Sequence, residues 1–126
     1  MKKILVVDDK EEISKVLNRI LESKGHTIDL CCNGEEASQM YDDNHYDLVV
    51  TDILMPEKDG LEFSSYIREK EKNTDKYTPI IAITGGGTVV SADMAHEAAK
   101  IYADDVLIKP FNSETFMNAV EKFIKN

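Results

Sequence analysis

Four short apolar runs, residues 4–7, 48–50, 80–83 and 106–108, punctuate this chain, and each gives way to a polar residue. They are rich in β-branched side chains and do not alternate with polar ones. That is the pattern of strands buried on both faces of a parallel sheet. Parallel neighbours need crossover connections, so helices must lie between them. A fifth segment, residues 27–32, does alternate, with Ile28, Leu30 and Cys32 set against Asp29 and Cys31, and reads as an edge strand.

The intervening segments have helical period. Ile13, Val16, Leu17, Ile20 and Leu21 recur at helical spacing, and Gly25 follows as a stop. Phe116, Ala119, Val120, Phe123 and Ile124 repeat that spacing in the last helix, with Asn112 or Ser113 as its N-cap. Residues 35–41, 61–70 and 92–101 are weaker helices. The expected fold is α/β, a (βα)5 single domain over residues 1–126, with no repeat or linker. The edge-like second strand suggests a doubly wound sheet of order 2-1-3-4-5, whose functional site lies at the carboxyl ends of the strands.

The residues at those ends carry the chemistry. The first strand ends in Asp8 and Asp9, the third in Asp52, the fourth in Thr84 and the fifth in Lys109. Alone, each has an ordinary reading: Asp8 and Asp9 as helix caps, Asp52 as a loop opener, Thr84 as a β-residue, Lys109 as a solvated lysine. Their joint occurrence at four strand ends favours one shallow acidic cleft. Like charges ~4 Å apart repel by up to about 4 kcal/mol at an effective dielectric of 20. A divalent, oxygen-loving ion removes the excess, and Mg²⁺ suits a site with few protein ligands. A nearly neutral site can accept a phosphoryl dianion, with Asp52 as nucleophile and Lys109 and the metal facing the equatorial oxygens.

Charge and composition narrow the alternatives. The chain carries 24 acidic and 15 basic side chains, a net charge of −9, which argues against direct binding of nucleic acid or an anionic membrane. No apolar run approaches the roughly 20 residues that span a bilayer. The apolar stretch after Lys2 and Lys3 is too short for a secretory signal and runs into aspartates. Cys31 and Cys32 are adjacent in a strand, point to opposite faces and should stay free, as in a reducing cytoplasm. His26, His45 and His96 have no metal-ligand spacing and read as surface residues, while Met40, Met55, Met94 and Met117 read as packing.

In these residues the chain resembles the receiver domain of response regulators in two-component signalling, a CheY-like, flavodoxin-like fold. The resemblance covers the whole chain through residues 4–9, 47–56, 59–60, 80–84 and 106–111. It implies that Asp52 is the phospho-acceptor, served by a histidine kinase or phosphotransfer protein. It further implies that Asp9, Asp52 and the Leu54 backbone carbonyl ligate Mg²⁺ directly, with Asp8 acting through water. Thr84 and Lys109 would face the phosphoryl oxygens, and the Lys109–Pro110 bond would be cis. The output would be a changed affinity for a downstream effector protein, read from the face made by the helix at 92–101, the fifth strand and the last helix. The expected state is a stand-alone cytoplasmic monomer or weak dimer, with no output domain and no nucleic acid or membrane partner.

The sequence departs from the family near that face. Receivers usually carry an aromatic residue three positions before the lysine; here it is Val106. Tyr102 either replaces the moving ring or covers a helix end. The segment between Thr84 and Lys109 is a few residues longer than usual. Gly85, Gly86 and Gly87 lack the spacing of a nucleotide-binding loop and read as a hinge. Gly86 and Leu54 occupy positions that in the family tune loss of the phosphoryl group, which implies altered autodephosphorylation. A phosphatase with an aspartyl-phosphate intermediate would need an aspartate at position 54, and a flavodoxin-like carrier a Ser/Thr/Gly loop in place of Asp8–Glu12. Both readings lose ground to a signalling switch.

Overall fold

The computed structural model describes residues 2–53, 60–84 and 100–124. Five strands, β1 (Lys3–Val7), β2 (Thr27–Cys31), β3 (Leu48–Asp52), β4 (Ile80–Thr84) and β5 (Asp105–Ile108), form one parallel sheet in the order β2-β1-β3-β4-β5. Four helices accompany them: α1 (Glu11–Glu22), α2 (Gly34–Asp43), α3 (Gly60–Glu71) and, last in the chain, α4 (Ser113–Phe123). Most of the helix expected over 92–101 lies outside the described residues; its last two, residues 100 and 101, lie in a turn.

Unalternating strands bury both faces, and the core divides accordingly. Ile4, Val6, Val50 and Ile83 face Leu17 and Leu21 of α1 and Phe116 and Val120 of α4. On the other side Leu5, Val7 and Val49 face Ala37 of α2 and Phe63 and Ile67 of α3. A small third cluster joins Ile53 to Ala82, with Val106 packed against it. The caps act as the sequence suggests. The Asn112 side chain accepts from the Thr115 N–H, and Gly25 takes φ +87°, the left-handed turn that ends α1 without a Cβ penalty.

Four expectations are corrected. In β2 the buried side chain is Cys31, whereas Leu30 is 38 % exposed. Ile28, on the same half as Leu30, packs against the core, and Asp29 on the other half accepts the Tyr46 hydroxyl at 2.7 Å. β5 is not covered on both faces: it is the other edge of the sheet, and Ile108 lies open. Val16 is exposed because it sits about 100° round the helix axis from the packed Leu17. His26, expected at the surface, is buried where the chain enters β2, and its Nδ1 has no hydrogen-bond partner. His45 is exposed as expected, and His96 lies outside the described residues.

Cys31 is buried, Cys32 exposed, and both are free. Met40 and Met117 pack against the core. No helix among the described residues is long and apolar enough to cross a membrane.

Candidate functional site

Strand register brings the polar strand ends together. Val7 pairs with Thr51, which sets Asp8 beside Asp52; Asp52 pairs with Ile83, and Thr84 with Ile108. Three further bonds carry the ladder past the strand ends: Asp8 N–H to Cys31 O at 3.1 Å, Ile53 N–H to Ile83 O at 3.0 Å, and Lys109 N–H to Thr84 O at 2.8 Å. Ladder bonds therefore hold the backbone at or next to Asp8, Asp52, Thr84 and Lys109.

One carboxylate oxygen each from Asp8, Asp9 and Asp52 lies within 4.8 Å of the others. Asp8 and Asp52 are buried and Asp9 is exposed, so the cluster opens to solvent on one side. The Lys109 ammonium reaches in from β5, 3.6 Å from Asp52 Oδ2 and 3.8 Å from Asp8 Oδ2. Asp8 Oδ1 accepts the Lys10 N–H at 2.8 Å. Lys10 is the N-cap residue of α1 and makes no side-chain cap, so Asp8 orients the helix start without occupying the cap.

Burial sets the electrostatics. It pushes the Asp52 carboxyl up to about 6, aided by the Asp8 charge and opposed by Lys109. Asp8 is raised as well, again mainly by burial, with the Lys10 N–H and Lys109 working against the shift. One ammonium does not neutralise three carboxylates. Among the described residues, Asp8 Oδ2 and Thr84 Oγ1 are both buried without a hydrogen-bond partner. Two orphaned polar atoms beside an uncompensated acidic pair are the mark of a site that fits a small hydrated cation and an incoming oxyanion.

The Lys109–Pro110 bond is cis. After it Phe111 stacks on Phe116 of α4, ring centres 6.0 Å apart, which ties the lysine's segment to the core. The sequence thus brings Asp8, Asp9, Asp52, Thr84 and Lys109 to one edge, as expected. Leu54, Gly85, Gly86 and Gly87 lie outside the described residues. Two residues were given no role from sequence. Thr51 donates its buried hydroxyl to the Asp52 carbonyl at 3.0 Å. Gly60 begins α3 hard against that same carbonyl. A threonine before the acidic residue and a glycine at a helix start were the available signals, and neither specifies such a contact without the fold.

The sequence profile for the response regulator receiver domain matches residues 4–121. The chain belongs to the receiver domain family. Among curated relatives, the transcriptional regulatory protein ResD of Bacillus subtilis is 37% identical over 123 residues, 98% of this chain and 48% of ResD. CpxR of Escherichia coli is 31% identical over 125 residues, 99% of this chain and 50% of CpxR. This receiver domain thus spans about half the length of these relatives.

Solved receivers superpose over nearly its whole length. The response regulator TrrA of Thermotoga maritima, solved with Mg²⁺ and BeF, has a TM-score of 0.80 at 37% identity, covering 98% of this chain and 100% of TrrA. TrrA has also been solved in complex with the histidine kinase ThkA, with a TM-score of 0.79 at 38% identity, covering 99% and 100% of the two chains. The chemotaxis response regulator CheY4 of Vibrio cholerae gives 0.82 at 28% identity, covering 98% and 99%. The sheet order and the family expected from sequence are therefore both correct, and the chain is a phosphoryl-accepting signalling domain of two-component systems.

Proposed function

We propose that this receiver domain is a phosphorylation switch that takes a phosphoryl group onto Asp52 with Mg²⁺. The observation that carries the reading is the convergence of Asp8, Asp9, Asp52 and Lys109 at the sheet edge where β4 ends in Thr84, whose buried hydroxyl has no hydrogen-bond partner among the described residues. Asp9, Asp52 and the Leu54 carbonyl would hold the metal directly and Asp8 through water. When bound, Mg²⁺ supplies positive charge for the oxygens of the transferring group.

The residues divide the rest of the work. An oxygen of the ionised Asp52 carboxylate forms the new O–P bond while the donor's N–P bond breaks, and the electron pair leaves with the donor imidazole. Lys109 now contacts Asp8 and Asp52 together. It would follow the added charge and pair with a phosphoryl oxygen. The Thr84 hydroxyl, buried with no partner, would donate to another. In the hydrolytic step a water oxygen bonds to phosphorus as the Asp52 O–P bond breaks, which gives inorganic phosphate and returns Asp52 as carboxylate, and the domain promotes its own dephosphorylation. The donor is a histidine kinase or histidine phosphotransfer protein, a class supported by the TrrA–ThkA complex.

The output is a changed affinity for an effector protein at the face made by residues 92–101, β5 and α4, and residues 1–126 are the unit that switches. A cytoplasmic monomer or weak dimer fits this role. Intact mass after incubation with Mg²⁺ and acetyl phosphate tests the reading. One added phosphoryl group is expected, absent in Asp52→Asn and absent with chelator. No addition in the unaltered chain would overturn it.

A further inference from the structure

The α3 start and the end of β3 are closer than side chains normally permit. The Gly60 N–H bonds the Ile53 carbonyl at 2.9 Å. A Cβ placed on Gly60 would stand 1.9 Å from the Asp52 carbonyl oxygen, 2.8 Å from its carbon and 2.9 Å from Ile53 Cα. All three are backbone atoms at the end of a fully buried central strand, where no flexible side chain can swing aside. The Thr51 hydroxyl holds the same oxygen from within β3, at 3.0 Å. The buried Ser64 hydroxyl, one turn into α3, bonds the Gly60 carbonyl at 2.7 Å and stiffens the helix start. Gly60 is therefore not placed here for conformational freedom; it is the one residue thin enough for a helix to seat on the acceptor's own peptide.

We propose that Gly60 and Thr51 are positioning residues for Asp52. By clamping its carbonyl from two sides they fix the Cα–Cβ direction that keeps its carboxylate with those of Asp8 and Asp9. Neither residue touches the reacting atoms. The inference rests on the metal-dependent reading above and extends it to the peptide behind the carboxylate. An added methyl at position 60 must push α3 outward or turn the Asp52 peptide, and the three carboxylates then lose the separation that one small ion bridges.

Isothermal titration of Mg²⁺ into the chain without phosphodonor separates this from a general loss of stability. Gly60→Ala is expected to bind Mg²⁺ at least ten-fold more weakly than the unaltered chain. Ile67→Val, a destabilising change two turns further along α3, is expected to bind as the unaltered chain does. Should Gly60→Ala fail to fold, Thr51→Val decides, since it keeps the side-chain shape and removes only the hydroxyl; about three-fold weaker binding is expected. A folded Gly60→Ala with unaltered Mg²⁺ affinity overturns the inference, as does unaltered affinity in Thr51→Val, or an equal loss in Ile67→Val. In those cases the unaltered chain still binds Mg²⁺ and the functional reading stands. Absence of Mg²⁺ binding by the unaltered chain overturns both.

Discussion

Two charged clusters occupy opposite ends of the sheet, and they are built on opposite principles. At the amino end, Arg68 of α3 bonds Glu71 at 2.7 Å, Asp104 at 3.1 Å, the Thr78 carbonyl at 3.0 Å and the Tyr102 carbonyl at 3.0 Å. It also lies over the Tyr77 ring, 4.3 Å from its centre. The acids are filled in turn: Asp104 accepts the Ile80 N–H and the Tyr77 hydroxyl, and Glu71 accepts the Thr78 N–H. At the carboxyl end, Asp8 and Asp52 share one lysine at 3.8 and 3.6 Å, with Asp9 exposed beside them and, among the described residues, no hydrogen-bond partner for Asp8 Oδ2 or Thr84 Oγ1. The first cluster spends all its polar capacity internally and serves as scaffold. The second holds capacity in reserve, which is what a site for an ion and an oxyanion requires.

The largest expected difference comes from removing a cation from the satisfied end. Arg68→Ala leaves two largely buried acids without their counter-charge and frees two carbonyls, a loss of about 3–5 kcal/mol. Urea unfolding checks this; a loss below about 1 kcal/mol would mean that the network is solvated and the contrast is false. Charge at the reserve end should respond in the opposite sense. With chelator present, the Asp52 carboxyl at about 6 binds its proton more tightly folded than unfolded. Its contribution to stability is then greatest below about pH 4 and is lost as pH rises towards 6 and beyond. Mg²⁺ competes with that proton, so its stabilising effect should grow from pH 5 to pH 7 by about 1 kcal/mol, since only about one pH unit of that window lies below the Asp52 value and each unit is worth about 1.36 kcal/mol.

Buried His26 pulls the other way. Burial, with nearby positive charge including Lys2, holds its pKa down. Its contribution is present above the ordinary histidine value and is lost as pH falls. His26 lies where β2 begins and the acidic cluster lies where the strands end, so subtracting chelator melts from Mg²⁺ melts at each pH cancels the histidine. A Mg²⁺ effect that is flat from pH 5 to pH 7 would refute the raised Asp52 value. Next in size, Asp52→Asn should stabilise the metal-free chain by about 1 kcal/mol at pH 7, because it relieves repulsion from Asp8 and leaves Lys109 to pair with Asp8. Destabilisation there would show that the pairing with Lys109 outweighs the crowding.

Much of this was legible in the sequence, for reasons that differ by residue. Unalternating β-branched runs give a parallel sheet, and a parallel sheet sends its strand ends to one edge. Asp8, Asp52, Thr84 and Lys109 could therefore be placed together before any coordinate was known. The edges were less legible. Leu30, Ile108 and Val16 are apolar yet open, because hydrophobic identity does not say which side of an edge strand or which flank of a helix is covered. His26 reads as a surface residue because scattered histidines without metal-ligand spacing carry no sign of burial, whereas the fold buries it just before β2. The Arg68 network was invisible, since its partners at 71, 78, 102 and 104 meet only when α3, β4 and the approach to β5 are folded. Thr51 and Gly60 were visible as letters without a role, because a clamp on one carbonyl depends on the distance between two elements.

The smallest stability effect should accompany a large chemical one, and that pairing tests the contrast most directly. Thr84 Oγ1 is buried without a hydrogen-bond partner among the described residues, so Thr84→Val removes a desolvated hydroxyl and inserts a methyl of nearly the same shape. At a satisfied position such a change costs about 1 kcal/mol or more. Here urea unfolding should shift by less than about 0.5 kcal/mol, because the folded chain has no bond to lose. Transfer from acetyl phosphate should nevertheless slow by about ten-fold or more, since the use proposed for the hydroxyl is with the incoming phosphoryl oxygen. If Thr84→Val instead destabilises by 1 kcal/mol or more, the hydroxyl is bonded in the resting chain and the carboxyl end is as satisfied as the amino end. If stability and transfer are both unchanged, the hydroxyl has no part in the chemistry, and the reserve there consists of the carboxylates and Lys109 alone.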